Sequence, residues 1–291
     1  MPELPEVETI RRGLSDCLVK EKGGKVLRVT VLSGKSFIGE PSRIMGTEVE
    51  EIRRKGKALI FDFKNRFSMI CHLRMTGQLI WVGEGERFAG GHPNDNFISE
   101  LPNGQTRVII KFEKGTLFFN DQRKFGFMKV LPTTRVEDDD FIRSLAKEPW
   151  AMKTEEFYRH LMRHKNTPIK MAILDQTVIA GLGNIYADEA LYYAKIHPKQ
   201  KTGEVTEEEA KLLLEGARKV MEKSLEAGGS TIRNYVKSDG TKGDYLELFA
   251  EVFNRQGQKC RRCEAEIVKT KVGGRGTHYC PECQKRKNLV Q

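Results

Sequence analysis

The sequence pairs Cys260 with Cys263 and, sixteen residues on, Cys280 with Cys283. Two C-x2-C pairs at this spacing fit a structural zinc site, in which four thiolates close a tetrahedron and leave no open position. Two disulfides or four free thiols are the competing readings. Disulfides are disfavoured because no secretory signal precedes them. His278 is an alternative ligand, although four cysteines already suffice. A segment of about forty residues buries too little core to hold itself together, so one structural Zn2+ would act as its staple. Cys17 and Cys71 stand alone among apolar neighbours and read as small core residues.

The other end of the chain, MPELPEVET, offers different chemistry. If Met1 is removed, Pro2 presents a secondary amine. An α-amino group titrates near ~7.7–8.0, so much of it is unprotonated at neutral pH. Such an amine can attack a carbonyl-like carbon and form an imine. Glu3 is adjacent and Glu6 lies one helical turn on, where a carboxyl could act as general acid or base. A plain helix start explains the same residues: Pro5 suits a first turn, and Glu6 and Glu8 favour the positive end of the helix dipole. On residue types alone, the plain reading is the ordinary one.

The charge is +10, with a pI near 9.2. From Arg255 onward there are ten Lys/Arg and three Asp/Glu, so the tail carries +7 of it. A basic excess concentrated this way suits a polyanion. Within the tail, VKTKVGGRGTHY reads as a β-hairpin turning at Gly273-Gly274-Arg275-Gly276, and Arg275 could reach a phosphate from it. An idle exposed arginine is the alternative. No run approaches the ~18 apolar residues of a membrane span, so the expectation is a soluble, cytoplasmic protein.

The elements that must position these groups change character along the chain. Residues 5–20 predict a helix with Val7, Ile10, Leu14 and Leu18 on one face. VLRVTVL, KALIFDFK, FSMICHL, QLIWV, TRVIIKF, TLFFN and FGFMKVL read as strands of an antiparallel sandwich or barrel. GEGERFAGGHPNDN reads as a long polar loop, and the acidic run Glu137–Asp140 as a solvated linker. TEEFYRHLMRHK is an amphipathic helix. MAILDQTVIAGLGNIYADEALYYAKIHP gives a helix, a glycine-rich break and a second helix. TEEEAKLLLEGARKVMEKSLEAGG is capped by Thr206 and Glu209 and stops at Gly228-Gly229. The expected domains are 1–132, a linker 133–153, 154–250 and 251–291.

Taken together, MPELPEVETIRRGL, the strand region, LDQTVIAGLGNIYADEALYYAKIHP and GGRGTHYCPECQ resemble the formamidopyrimidine-DNA glycosylase (Fpg/Nei) family, in the same order from residue 1 to about 285. The resemblance implies an α+β fold. An antiparallel β-sandwich with flanking helices precedes a helix–two-turns–helix domain and a β-hairpin zinc finger. It implies a monomer, nucleoid-associated in a bacterium, that binds damaged double-stranded DNA in a cleft and flips the lesion out. Pro2 would attack C1′ and displace the base, with Glu3 as acid/base and Glu6 in support. β- and δ-elimination would then nick the strand.

Residue by residue, Lys57 matches a lysine reaching the phosphates beside the lesion; its alternative is a solvated strand-edge lysine. Met75 matches the wedge that fills the vacated stack, Arg123 the arginine facing the orphaned base, and Phe125 the aromatic inserted between base steps. By type alone, Met75 and Phe125 read as core. His72 and Arg74 are expected at the same surface. Asn184 and Arg275 match phosphate contacts. The segment 230–245 corresponds to a loop capping a flipped purine, which favours 8-oxoguanine and formamidopyrimidines as substrates. Departures from the family pattern are Asp121-Gln122-Arg123, Thr76, the stretch HPNDNFISELPNG and the linker's AKEPW. An endonuclease VIII-like enzyme for oxidised pyrimidines is the nearest alternative, against which Leu4 argues. A non-catalytic damage binder is a second, but Pro2 and Glu3 are both present; a zinc-stapled nucleic-acid-binding protein is a third, which would explain the tail and the charge but not the tip.

Overall fold

The computed structural model describes residues 1–20, 24–83, 85, 87–92, 99–228 and 249–287. They fall into two compact units. One is built on Met1–Arg143, the other on Ser144–Glu226 and the described residues from 249 onward. The division falls within the expected linker 133–153.

The first unit opens with helix α1, Leu4–Ser15, extended by one π turn, Asp16–Lys20. Pro5 sits in the first turn, where its missing N–H costs nothing. Val7, Ile10, Leu14 and Leu18 are all buried, as their spacing requires. Ten strands follow: β1 Val26–Val31, β2 Phe37–Ile38, β3 Val49–Lys55, β4 Ala58–Phe63, β5 Phe67–His72, β6 Gly77–Gly83, β7 Arg87–Gly91, β8 Thr106–Phe112, β9 Gly115–Asp121 and β10 Phe127–Pro132. They form two five-stranded sheets, ordered β1-β8-β9-β6-β7 and β2-β10-β5-β4-β3. All pairings are antiparallel except the short β2–β10 pair. Leu59, Phe61, Met69 and Cys71 of one sheet share a core with Leu79, Val108, Leu117 and Phe119 of the other and with the apolar face of α1.

Three strands differ from the sequence expectation. β3 is an edge strand, VEEIRRK, in which only Val49 and Ile52 are buried. Charged side chains suit an edge but hide the apolar alternation. β2 is only two residues long. β7 corrects the expected polar loop, because its glycines serve packing instead of turning. A Cβ on Gly90 would stand 2.3 Å from Ile10 Cγ1, so only glycine there lets α1 lie on the sheet.

The acidic run is also not simply a solvated linker. Asp139 is buried, with its carboxylate 2.5 Å from Lys129 Nζ, and it accepts hydrogen bonds from Phe141 N and Ile142 N. It thereby starts helix α2, Asp140–Ser144, whose Ile142 packs with Val136 on Ala58, Ile60 and Ile70.

The second unit contains α3 Thr154–Met162, α4 Ile169–Leu174, α5 Asn184–Tyr193, α6 Glu207–Glu226, and a hairpin of β11 Val268–Val272 and β12 Arg275–Tyr279. Thr206 and Glu209 form the expected reciprocal cap, with Glu209 N donating to Thr206 Oγ1 and Thr206 N to Glu209 Oε2. The hairpin turns on two residues, Gly273 and Gly274, both with positive φ, so Arg275 already lies in the strand opposite Val272. Among the described residues no helix is long and apolar enough to cross a membrane. The expected capping segment 230–245, residues 93–98 of the unfamiliar stretch and the last four residues lie outside the described residues.

Candidate active site and metal centre

The catalytic candidates sit where α1 begins. Glu3 is the extended residue at its N-cap, and Glu3 N donates to Glu6 Oε2 at 2.9 Å. Glu6 therefore ties down the backbone next to Pro2. Pro2, Glu3 and Glu6 are all buried. One turn on, Glu8 accepts from Arg11 at 2.9 Å and from Arg54 of β3 at 3.1 Å. Burial works against its charge, but Arg11 and Arg54 outweigh that and hold its carboxyl below the ordinary range. This cluster fixes α1 to β3, and so fixes the angle at which the tip is presented.

Lys57 occupies the turn between β3 and β4, beside Gly56 at φ +57°. It is 5% exposed, unlike a solvated strand-edge lysine. Ala58, the next residue, pairs with His72 at the end of β5. His72 is buried too. Its Nδ1 accepts from Arg74 N at 3.0 Å, and its ring packs on Phe127 and Phe141. Burial, with the Arg74 and Lys57 cations adding to it, pushes the imidazole down to about 3. His72 is therefore neutral at physiological pH and buttresses the loop that follows. In that loop Arg74, at φ +51°, lays its guanidinium over Phe127 and Phe141.

Met75 is half-buried between β5 and β6. Arg123 and Phe125 project from the loop between β9 and β10, with the Arg123 guanidinium 4.8 Å from the Phe125 ring centre. Phe125 is 55% exposed, contrary to the core placement its type suggests. A large aromatic held in solvent beside an arginine is suited to stacking on a base. At the root of this loop Asp121 is fully buried, and its carboxylate accepts from Gly126 N at 2.7 Å and Arg123 N at 3.2 Å.

In the second unit, Asn184 is the first residue of α5, and its Nδ2 donates to Gly276 O at 3.0 Å. The fold thus brings Asn184 to the residue after Arg275, whose own side chain is exposed. Lys57 stands in the other unit. Beneath the hairpin lies a group that sequence reasoning missed. Lys170 and Asp188 are completely buried, with Nζ 2.7 Å from Asp188 Oδ1. Lys170 Nζ also donates to Gly276 O at 2.9 Å and Thr277 Oγ1 at 2.8 Å, while His278 N donates to Asp188 Oδ2 at 2.8 Å. A lysine inside the apolar helix IKMAIL was the one available signal.

The sulfur atoms of Cys260, Cys263, Cys280 and Cys283 all lie within 4.8 Å of one another. Separations of 3.4 Å (Cys263–Cys283), 3.5 Å (Cys263–Cys280) and 3.8 Å (Cys260–Cys283) exclude disulfide bonds of ~2.05 Å. Thiolates ~2.3 Å from a tetrahedral zinc would stand about 3.8 Å apart, so the set fits one structural Zn2+. Arg262 N and Cys283 N point at sulfurs, and the Tyr192 hydroxyl lies 3.2 Å from Cys260 Sγ. His278 is not a ligand: its Nε2 pairs with Gln256 Oε1 at 3.0 Å and its Nδ1 faces Asp188.

Comparison with known proteins agrees with this architecture. Residues 1–128 match the formamidopyrimidine-DNA glycosylase N-terminal domain, residues 145–236 its H2TH domain, and residues 257–286 a zinc finger found in FPG and IleRS. The formamidopyrimidine-DNA glycosylase of Pediococcus pentosaceus is 38% identical over 290 residues, covering 98% of this chain and 99% of the relative. The Lactococcus lactis Fpg complexed with abasic-site DNA superposes with a TM-score of 0.84 at 33% identity, over 98% of this chain and 100% of that one. MutM in complex with carbocyclic 8-oxo-G containing DNA gives a TM-score of 0.83 at 33% identity, with the same coverage. This chain belongs to the formamidopyrimidine-DNA glycosylase family.

Proposed function

We propose that the chain is a bifunctional DNA glycosylase/AP lyase of base excision repair that removes oxidised purines, 8-oxoguanine and formamidopyrimidines, from double-stranded DNA. The observation that carries this reading is the anchored tip: the Glu6 carboxylate holds Glu3 N–H at 2.9 Å, directly beside Pro2. Family membership and solved relatives bound to abasic-site and 8-oxo-G DNA support it.

After removal of Met1, the Pro2 nitrogen donates its lone pair to C1′ of the damaged nucleotide. The C1′–N glycosidic bond breaks and the base leaves with the bond's electrons. Glu3 moves the proton that opens the sugar ring, leaving an iminium between Pro2 and C1′. Loss of a C2′ proton then expels the 3′ phosphate, and a second elimination expels the 5′ phosphate. Hydrolysis of the imine frees Pro2. Lys57, Asn184 and Arg275 are the phosphate contacts, and Met75, Arg123 and Phe125 fill and inspect the vacated stack, with His72 beneath them. Zinc supplies no chemistry here; it holds the Arg275 hairpin. We place the enzyme in the cytoplasm, working as a monomer, with domains at 1–132, 154–250 and 251–291.

Retaining Met1 tests the tip. A chain in which Met1 cannot be removed should lose imine formation and nicking but keep its affinity for abasic-site DNA. Unchanged nicking would remove Pro2 from the mechanism.

A further inference from the structure

Two loops of the first unit carry side chains assigned above to the vacated stack, residues 73–76 and residues 122–125. Each contains a non-glycine residue with positive φ, Arg74 at +51° and Lys124 at +56°. Such conformations are strained for a residue with a side chain and persist only where neighbours enforce them. The first loop is held by Arg74 N on His72 Nδ1 and by Gly77 N on Leu73 O, and it is joined to the second through one carboxylate and one hydroxyl. Thr76 Oγ1 donates to Asp121 Oδ1 and accepts from Arg123 N at 3.0 Å. Asp121 Oδ1 also accepts from Arg123 N, and Oδ2 from Gly126 N, so both ends of the second loop hang on the same side chain. Asp121 is itself fixed: it pairs with Gly77 in the β6–β9 ladder, and its carbonyl accepts from Arg107 Nε at 2.8 Å. The Thr76 hydroxyl is thus the link between the two loops.

We propose that Thr76 and Asp121 form a positioning pair that locks Met75 in register with Arg123 and Phe125, and so sets how strictly the enzyme discriminates the base opposite the lesion. This rests on the roles proposed for those three side chains. Neither Thr76 nor Asp121 needs to touch DNA. Valine at position 76 keeps the shape of threonine but removes the link, leaving Arg123 N with a longer hydrogen bond to Asp121 alone.

The test is single-turnover base release from duplexes with 8-oxoguanine opposite cytosine and opposite adenine, in the full-length zinc-loaded chain. The ratio of the two rates should change by about tenfold in Thr76→Val, the lower end expected for a lost hydrogen bond to a charged group. Thr76→Ser should restore both the ratio and the thermal unfolding midpoint, which the loss of a hydrogen bond to a charged group lowers in Thr76→Val. The effects of Met75→Ala and Arg123→Ala should be non-additive in the parent and additive in the Thr76→Val background. An unchanged ratio in Thr76→Val, with the ratio lost in Arg123→Ala, would overturn the positioning pair while leaving the proposed function intact. Unchanged ratios in both Arg123→Ala and Phe125→Ala would overturn the underlying reading, and the positioning pair with it.

Discussion

Replacing Lys170 by methionine should unfold the second unit far more readily than its conservative size suggests. Methionine fills much of the lysine stem's volume, so little packing is lost. What is lost is the ammonium 2.7 Å from Asp188 Oδ1 and its bonds to Gly276 O and Thr277 Oγ1. Both partners of the ion pair are at 0% exposure, so water cannot compensate. Breaking a buried pair from one side costs about 3–5 kcal/mol, because the remaining charge stays desolvated. With a urea m-value of ~2 kcal/mol/M, the midpoint should fall by about 2 M. The sequence has two tryptophans, Trp81 in the first unit and Trp150 in the second, so a Trp81→Phe background gives Trp150 fluorescence as a reporter of the second unit. The pair Lys170→Met with Asp188→Asn should recover most of the loss, because asparagine still accepts from His278 N and leaves no buried charge. A single variant within about 1 kcal/mol of the parent would refute the reasoning, since an effect that small is typical of sites outside such a network.

Further outcomes are expected elsewhere. Cys260→Ser should release the single zinc, measured by a chromogenic chelator, and weaken DNA binding; a metal-free chain with full activity would contradict the staple. Arg275→Ala should lower the slope of log affinity against log salt by about one, as expected for one lost phosphate contact, and an unchanged slope would exclude that contact. His72 gives a pH signature. Its folded value, about 3, lies below the ordinary 6.5, so the unfolded chain takes up the proton first. The stability of the neutral ring is complete above pH 6.5 and declines by up to ~1.4 kcal/mol per pH unit as pH falls toward about 3. Phenylalanine at position 72 should flatten that part of the unfolding-versus-pH curve, and an unaltered curve would place the proton elsewhere.

Much of this molecule was readable in the sequence because its signals are local. The period of α1, seven apolar strands, the cap at Thr206 and the cysteine spacing each need only a few neighbouring residues. What could not be read depends on distant partners. β3 hides behind its charges because an edge strand has one free side, and β7 hides behind glycines whose reason, Ile10, lies eighty positions away. Asp139 looked solvated until its neighbours folded over it. Phe125 shows the limit from the other side. Its type argues for burial, and only the Asp121-anchored loop explains why it stands in solvent. The chemistry of Pro2 was legible as a possibility from its position and amine. The resemblance to a family, not the residue pattern alone, raised it above an ordinary helix start.

The most direct test of the account is borohydride trapping of the purified, zinc-loaded chain with its N-terminus verified as Pro2. One duplex carries 8-oxoguanine opposite cytosine, the other thymine glycol. A covalent adduct through Pro2 is expected, formed chiefly on the 8-oxoguanine duplex. Trapping chiefly on thymine glycol would contradict the purine preference, and no adduct on either duplex would contradict the Pro2 mechanism itself.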